Sequence, residues 1–163
     1  MKMQLKPIGI IHSPFTEPAG TPIQPGAASG VEGQVEVFPE FAEGLQDLEG
    51  LERIWLIYWF HRTAPARLRV VPFLDDRERG IFATRTPCRP NPIGLSAVKL
   101  VGIQGNILQV RELDILEGTP LLDIKPYAPW FDHFPAKVPD WMEKAWAGPK
   151  VKVADDRFSA EKK

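Results

Sequence analysis

Residues 94–113 read GLSAVKLVGIQGNILQVREL. Two largely apolar runs, 94–104 and 106–113, flank the pair Gly105-Asn106. Glycine supplies the positive φ that a two-residue hairpin turn demands, and short β-branched runs on either side suit paired strands. The stretch predicts an antiparallel hairpin.

Further runs of the same kind lie on both sides of it: PIGIIHS (7–13), GQVEVFP (33–39), RIWLIYWF (53–60), RLRVVPF (67–73), GIFATR (80–85) and PLLDIKPY (120–127). Seventeen prolines and thirteen glycines punctuate the chain and leave little room for long helices. Short strands at this spacing point to a sandwich or a barrel. RIWLIYWF is apolar on both faces, as in a strand buried on both sides or against a second subunit. In 120–127, Asp123 and Lys125 alternate with Leu122 and Ile124, as on a half-exposed edge strand. Two short helices are expected. Phe41, Leu45 and Leu48 have helical spacing within 39–51. In 138–148, Trp141 with Ala145 and Met142 with Trp146 form (i, i+4) pairs between Pro139 and the stop at Gly148. The fold class is therefore mainly all-β: a single domain with one or two short helices and a polar tail from about Ala154.

At 163 residues, with 44% hydrophobic and 25% charged residues, the chain fits one globular domain. No apolar run approaches the roughly 20 residues of a membrane span. The opening MKMQLKPIGIIHSPF lacks a secretory h-region with a cleavage site, so a cytoplasmic location is the expectation. Cys88 is alone, and His12, His61 and His133 stand tens of residues apart, which excludes a disulfide framework and the usual metal-ligand spacings. Net charge is −1, yet residues 61–100 carry eight Lys/Arg against three acids. This local excess suggests that the central third faces an anion. The rival reading is that DDRER (75–79) neutralises itself.

Four segments are dense in chemistry. TRTPCRPNPIG (84–94) sets Arg85 and Arg89 among three prolines. Proline stiffens such a loop, and guanidinium groups pair bidentately with phosphate or carboxylate. A solvated surface turn is the equal alternative. Cys88 sits there between Pro87 and Arg89, where guanidinium groups would favour the thiolate, but nothing local supplies a base. His61 closes the apolar strand as WFHRT (59–63), either as a satisfied core cap or as a polar group at a cavity mouth. ELDILEGTPLLDIKPYAPWFD (112–132) places Asp114 and Glu117 at a turn, where carboxylates accept from ribose hydroxyls or an ammonium group. TPIQPGAASG (21–30) is a loop with one amide, Gln24. No G-x-G-x-x-G or G-x-x-x-x-G-K-[ST] occurs, so a nucleotide would be held without a glycine-rich cradle.

Taken in order, IGIIHSPF, PIQPG, WLIYWFHR, GIFATRTPCRPNPIGLSAVKL and LDILEGTPLLDIKPY resemble the TsaA/TrmO family over roughly residues 7–135. The resemblance implies a TsaA-like β-barrel methyltransferase domain over 1–150, followed by the tail 151–163, in a homodimer with its cofactor site near the subunit interface. It implies S-adenosyl-L-methionine as cofactor and tRNA as partner. The reaction would methylate N6 of threonylcarbamoyladenosine at position 37 of the anticodon loop. Carried over by position, the cofactor contacts are Pro22, Ile23, Gln24, His61, Arg62, Arg85, Leu95, Asp114, Ile115, Leu116, Glu117 and Gly118. Ile23 stands where the family often has arginine, and Glu117 where it has aspartate. Longer members carry a further C-terminal domain. The resemblance leaves the catalytic base open between His61 and Glu117. Trp130 and Phe131 would be stacking platforms for RNA bases, with one of them expected in the core. Two other readings stand beside this one: a non-catalytic nucleotide- or S-adenosylmethionine-binding module, and a hydrolase using His61 and Cys88.

Overall fold

The computed structural model describes residues 4–148 and 152–160. The 94–113 stretch is the hairpin its sequence calls for, strands β6 (Ile93–Gln104) and β7 (Ile107–Arg111). At its tip Gly105 takes φ 62°, the left-handed region that glycine enters without strain. The Asn106 amide donates to the Val37 carbonyl at 2.6 Å and so clasps the hairpin to its neighbour.

That neighbour is β2 (Glu32–Val37). With β1 (Gly9–His12), β3 (Arg53–Trp59) and β8 (Thr119–Pro126) the sheet closes as a six-stranded antiparallel barrel in the order β1-β2-β7-β6-β3-β8. β6 pairs with β3 over Ile93–Lys99 and with β7 from Lys99 onward, with a register shift between Leu100 and Gly102. An irregularity of this kind bends a strand, and the bend helps close the sheet. Two expectations change as a result. Segment 120–127 is not an edge: β8 is paired on both sides, because a closed barrel has no edges. Within this one chain RIWLIYWF is buried on one face, so the reading as a strand buried on both sides gives way and the one against a second subunit stands. Ile54, Leu56 and Tyr58 enter the core, while Arg53, Trp55, Ile57 and Trp59 lie half-buried on the outer face. Trp55 is covered there by Tyr127, ring centres 5.6 Å apart.

The barrel interior holds Ile11, Val35, Ile54, Leu56, Val98, Leu108, Leu113 and Leu121, all fully buried. A second, smaller core lies beside it. Val70, Ile81, Cys88 and Phe158 pack with Phe73, where RLRVVPF and GIFATR contribute only the two-residue ribbon β4 (Arg69–Val70) and β5 (Arg79–Gly80) and a 3-10 turn, Ile81–Ala83. The expected helix at 39–51 is a 3-10 segment, Pro39–Leu45. α1 (Pro129–Asp132) is a single turn and α2 (Asp140–Ala147) the longest helix among the described residues.

Residues 152–160, read from composition as part of a polar tail, return to the fold. Val153 bridges to Pro22 and Thr63 to Ser159. The Phe158 ring meets Phe73 at 4.9 Å. One buried aromatic among charged neighbours is enough to dock this segment, and average polarity hides it.

His12, at the end of β1, donates to Glu117 Oε1 at 2.9 Å and to Glu36 Oε2 at 3.1 Å. A ring donating from both nitrogens is an imidazolium, and the Glu117 hydrogen bond foremost raises its pKa above the ordinary histidine value despite partial burial. A raised folded-state pKa stabilises fully below the unfolded value, and that contribution fades as pH climbs through the folded one. We therefore expect His12→Gln to lower the melting temperature at about pH 6 and the deficit to shrink by about pH 9. Melting curves at both pH values check this; an equal deficit at the two would refute it.

Candidate functional site

Where β3 ends and β6 begins, the barrel wall opens into a cavity of about 460 Å³, within the usual range for small-molecule sites. Tyr58, Phe60, His61 and Arg62 enter from the end of β3, and Gly94 and Leu95 from the start of β6. The 114–116 turn, the 21–24 loop and the 83–89 loop complete the barrel side, and α2 lies opposite. Ten of the twelve residues placed at a cofactor site from sequence thus line one space: Pro22, Ile23, Gln24, His61, Arg62, Arg85, Leu95, Asp114, Ile115 and Leu116. Glu117 and Gly118 do not. Glu117 turns to His12 and accepts from the Ser13 N–H at 2.7 Å, while the Gly118 N–H donates to Ile11 O.

Each polar group has a distinct local cause. Asp114 follows Glu112, a non-glycine residue at φ 61° whose carboxylate is held by Arg53 at 2.7 Å. This left-handed turn carries the chain from β7 to the cavity wall. Asp114 Oδ1 is buried with no hydrogen-bond partner among the described residues, and burial raises its pKa to about 6. Tyr58, also buried, shares a 3.1 Å hydrogen bond with Ser96, and burial drives its phenol far above the ordinary range, so it stays neutral.

His61 is held below the ordinary histidine range by partial burial and then by the neighbouring Arg62. The Thr119 hydroxyl donates its one proton to Leu116 O at 2.7 Å and lies 3.4 Å from His61 Nδ1. The tautomer with hydrogen on Nδ1 is the one that would pair with this hydroxyl, and it leaves the lone pair on Nε2.

The two arginines of the proline-rich loop separate in role. Arg85 is exposed and donates to Gln24 Oε1 at 3.1 Å, joining two walls of the cavity. Arg89 braces its own loop through the carbonyls of Thr84 and Ile81, at 2.7 and 3.1 Å. Arg62 is tied to Thr16 O and to Glu17. Much of the positive excess in 61–100 is answered locally: Asp75 pairs with Arg79 at 2.7 Å, which lowers the Asp75 carboxyl to about 2, and Glu78 pairs with Arg69. Cys88 is fully buried, and burial pushes its thiol up, which removes the thiolate a hydrolase would need. Trp130 and Phe131 are both exposed, 80% and 54%, so neither is in the core.

The sequence does not mark Tyr58 or Thr119 as site residues, nor Trp141, Met142, Ala145 and Trp146 of α2. The helical spacing of the last four was visible, but not the surface they would meet. Among the described residues no cluster of His, Cys, Asp and Glu could hold a metal ion, and no helix is long and apolar enough to cross a membrane.

The model of the tRNA-methyltransferase O N-terminal domain matches residues 10–133. The chain belongs to this family. A protein of Pyrococcus abyssi described as a probable S-adenosyl-L-methionine-binding protein is 58% identical over 139 residues, which are 85% of this chain and 76% of that one. The tRNA (adenine(37)-N6)-methyltransferase of Escherichia coli is 34% identical over 87% of this chain and 65% of its own. The crystal structure of TrmO from Pseudomonas aeruginosa superposes with a TM-score of 0.71 at 37% identity, over 85% of this chain and 62% of the other. Another TrmO crystal structure gives a TM-score of 0.73 at 39% identity, over 86% and 64%. The chain thus spans under two thirds of these last three TrmO-type relatives. The closed antiparallel barrel is the architecture it shares with the two TrmO crystal structures.

Proposed function

We propose that the protein is an S-adenosylmethionine-dependent methyltransferase acting on N6 of threonylcarbamoyladenosine 37 in tRNA. The observation that carries this reading is the convergence of ten family-motif residues, the His61 imidazole among them, on one cavity. The cavity suits the donor chemically. Its apolar walls match an adenosyl group, and the orphaned Asp114 Oδ1 is an acceptor waiting for an N–H. Asp114, Gln24, Arg85 and the backbone of Ile115 and Leu116 would hold the donor. When bound, it supplies an electrophilic methyl group.

The protein's own work is positioning and proton removal. The carbamoylated N6 is a poor nucleophile while it keeps its hydrogen. His61 Nε2 accepts that proton as the new N–C bond forms, and the Thr119 contact at Nδ1 fixes the ring for the task. Glu117 is already committed to His12 and Ser13, which leaves His61 of the two candidate bases. Holding both reactants in one cavity removes much of the entropy cost of a bimolecular step. Exposed Trp130 and Phe131 offer stacking surfaces for unpaired anticodon-loop bases. Ile93 and Leu95 leave apolar surface open at the rim, 38% and 45% exposed, which a second copy in a homodimer would cover.

The test is methyl-labelled S-adenosylmethionine with threonylcarbamoylated and with unmodified tRNA. We expect label only in the modified tRNA, at N6 of nucleotide 37. Donor binding with no label in either RNA would leave the binding module instead.

A further inference from the structure

α2 lies beyond residues 10–133, the span of the family domain, yet Trp141, Met142, Ala145 and Trp146 form part of the cavity wall. These positions share one face of the helix. The connection from the barrel, 133–139, is exposed throughout and carries Pro135 and Pro139. No strand pairs with it. Two cations grip the helix through its tryptophans. The Arg79 guanidinium, fixed by Asp75, lies 4.4 Å from the Trp141 ring centre. The Lys152 ammonium lies 4.6 Å from that of Trp146. These grips orient the indoles and leave Trp141 half-buried, while Trp146 keeps 45% and its neighbour Met142 36% of their surface open to solvent. Large apolar area left on a cavity wall is area that a ligand can cover.

We propose that α2 is a lid over the donor cavity, and that Trp141 and Trp146 are donor-binding residues supplied from outside the family domain. The inference rests on the methyl-donor reading above. Indole rings suit this ligand twice over: they stack on a purine, and their negative faces attract a cation such as a sulfonium. Beyond the helix, residues 152–154 are hydrogen-bonded to the 20–23 loop. The motion is therefore a hinge about that docked side with the exposed 133–139 connection giving way, and the weak cation-held contacts let the helix open for entry and close on the bound donor.

The test uses the full chain and titration calorimetry with S-adenosylmethionine. Trp146→Ala and Trp141→Ala are each expected to raise Kd about tenfold, and Trp146→Phe to recover most of the loss. The unliganded melting temperature should stay within about 2 °C of the parent, since α2 lies outside both cores. In parallel, saturating S-adenosylmethionine should slow tryptic cleavage after Lys137 in the parent chain at least severalfold. If the parent binds the donor while both alanine variants bind within twofold of it and Lys137 is cut at the same rate with and without ligand, α2 is not a lid and the methyltransferase reading survives. If the parent itself fails to bind S-adenosylmethionine, that reading falls, and this one with it.

Discussion

His61→Ala is expected to lower the single-turnover rate of methyl transfer at pH 7.5 by about 100-fold or more, with donor affinity changed less than threefold. The expectation follows from the assignment of His61, a cavity-lining residue, as the base. Thr119 donates to Leu116, so it pairs with His61 as the tautomer that carries hydrogen at Nδ1 and leaves Nε2 unprotonated. A positioned general base contributes about 10²–10⁴ in rate, and a factor of 100 is about 2.7 kcal/mol of barrier. The pH profile gives an independent reading. Burial and Arg62 hold His61 below the ordinary histidine value, so the base is already unprotonated at neutral pH. The parent rate should rise from acid pH, with a midpoint below about 6.5, and then level off. In the alanine variant this histidine limb should disappear.

Asp114 is the competing explanation for an acid limb, since its carboxyl titrates near 6. Asp114→Asn separates the two. If Asp114 only accepts hydrogen bonds from the donor, the substitution weakens donor binding and leaves the limb in place. A His61→Ala enzyme with the parent rate and an unchanged profile would move the base elsewhere.

The barrel was legible in the sequence where turns were marked by glycine, as in the 94–113 hairpin that turns at Gly105. The buried face of β3 was not, because RIWLIYWF is apolar on both faces and only Ile54, Leu56 and Tyr58 point inward. Closure was not legible. A strand with charged residues on one face reads the same whether it has one neighbour or two, and β8 reads as an edge on that ground. Ten of the positions carried over from family motifs line the cavity, and Glu117 and Gly118 lie outside its lining. The distinction there between a turn that enters a cavity and one that ties two strands depends on His12 and Ser13, more than a hundred residues away. The same limit hid α2. Its apolar face was visible in the spacing of Trp141, Met142, Ala145 and Trp146, but periodicity says only that a helix has a partner, not which surface the partner is. Arg79 shows the point from the other side. In the sequence it is one charge of DDRER; in the fold it links Asp75 to Trp141.

Gly94→Ala should be the most damaging single methyl group in the site. Gly94 is the residue paired directly across from Tyr58. A Cβ at position 94 would stand 2.2 Å from Tyr58 Cε2 and 2.3 Å from Cζ, far inside van der Waals contact, so the ring must leave its place. Its hydroxyl is bonded to Ser96, its edge meets Phe60 with ring centres 5.3 Å apart, and the residue is buried. Overpacking of this kind costs about 1–3 kcal/mol, which for a domain of this size lowers the melting temperature by several degrees. The effect on function should be larger than the effect on stability. Tyr58 and Phe60 are both cavity walls, and the displaced ring has the cavity as its open side. Donor affinity should therefore fall tenfold or more even at temperatures where the variant is folded. Gly102→Ala is the matched control: a Cβ there meets nothing within 4 Å, and it should melt and bind like the parent. Calorimetry and melting curves on the pair decide the matter. Were Gly94→Ala to keep both its stability and its affinity, Tyr58 could not be packed on Gly94, and the cavity wall described at the junction of β3 and β6 would be wrong.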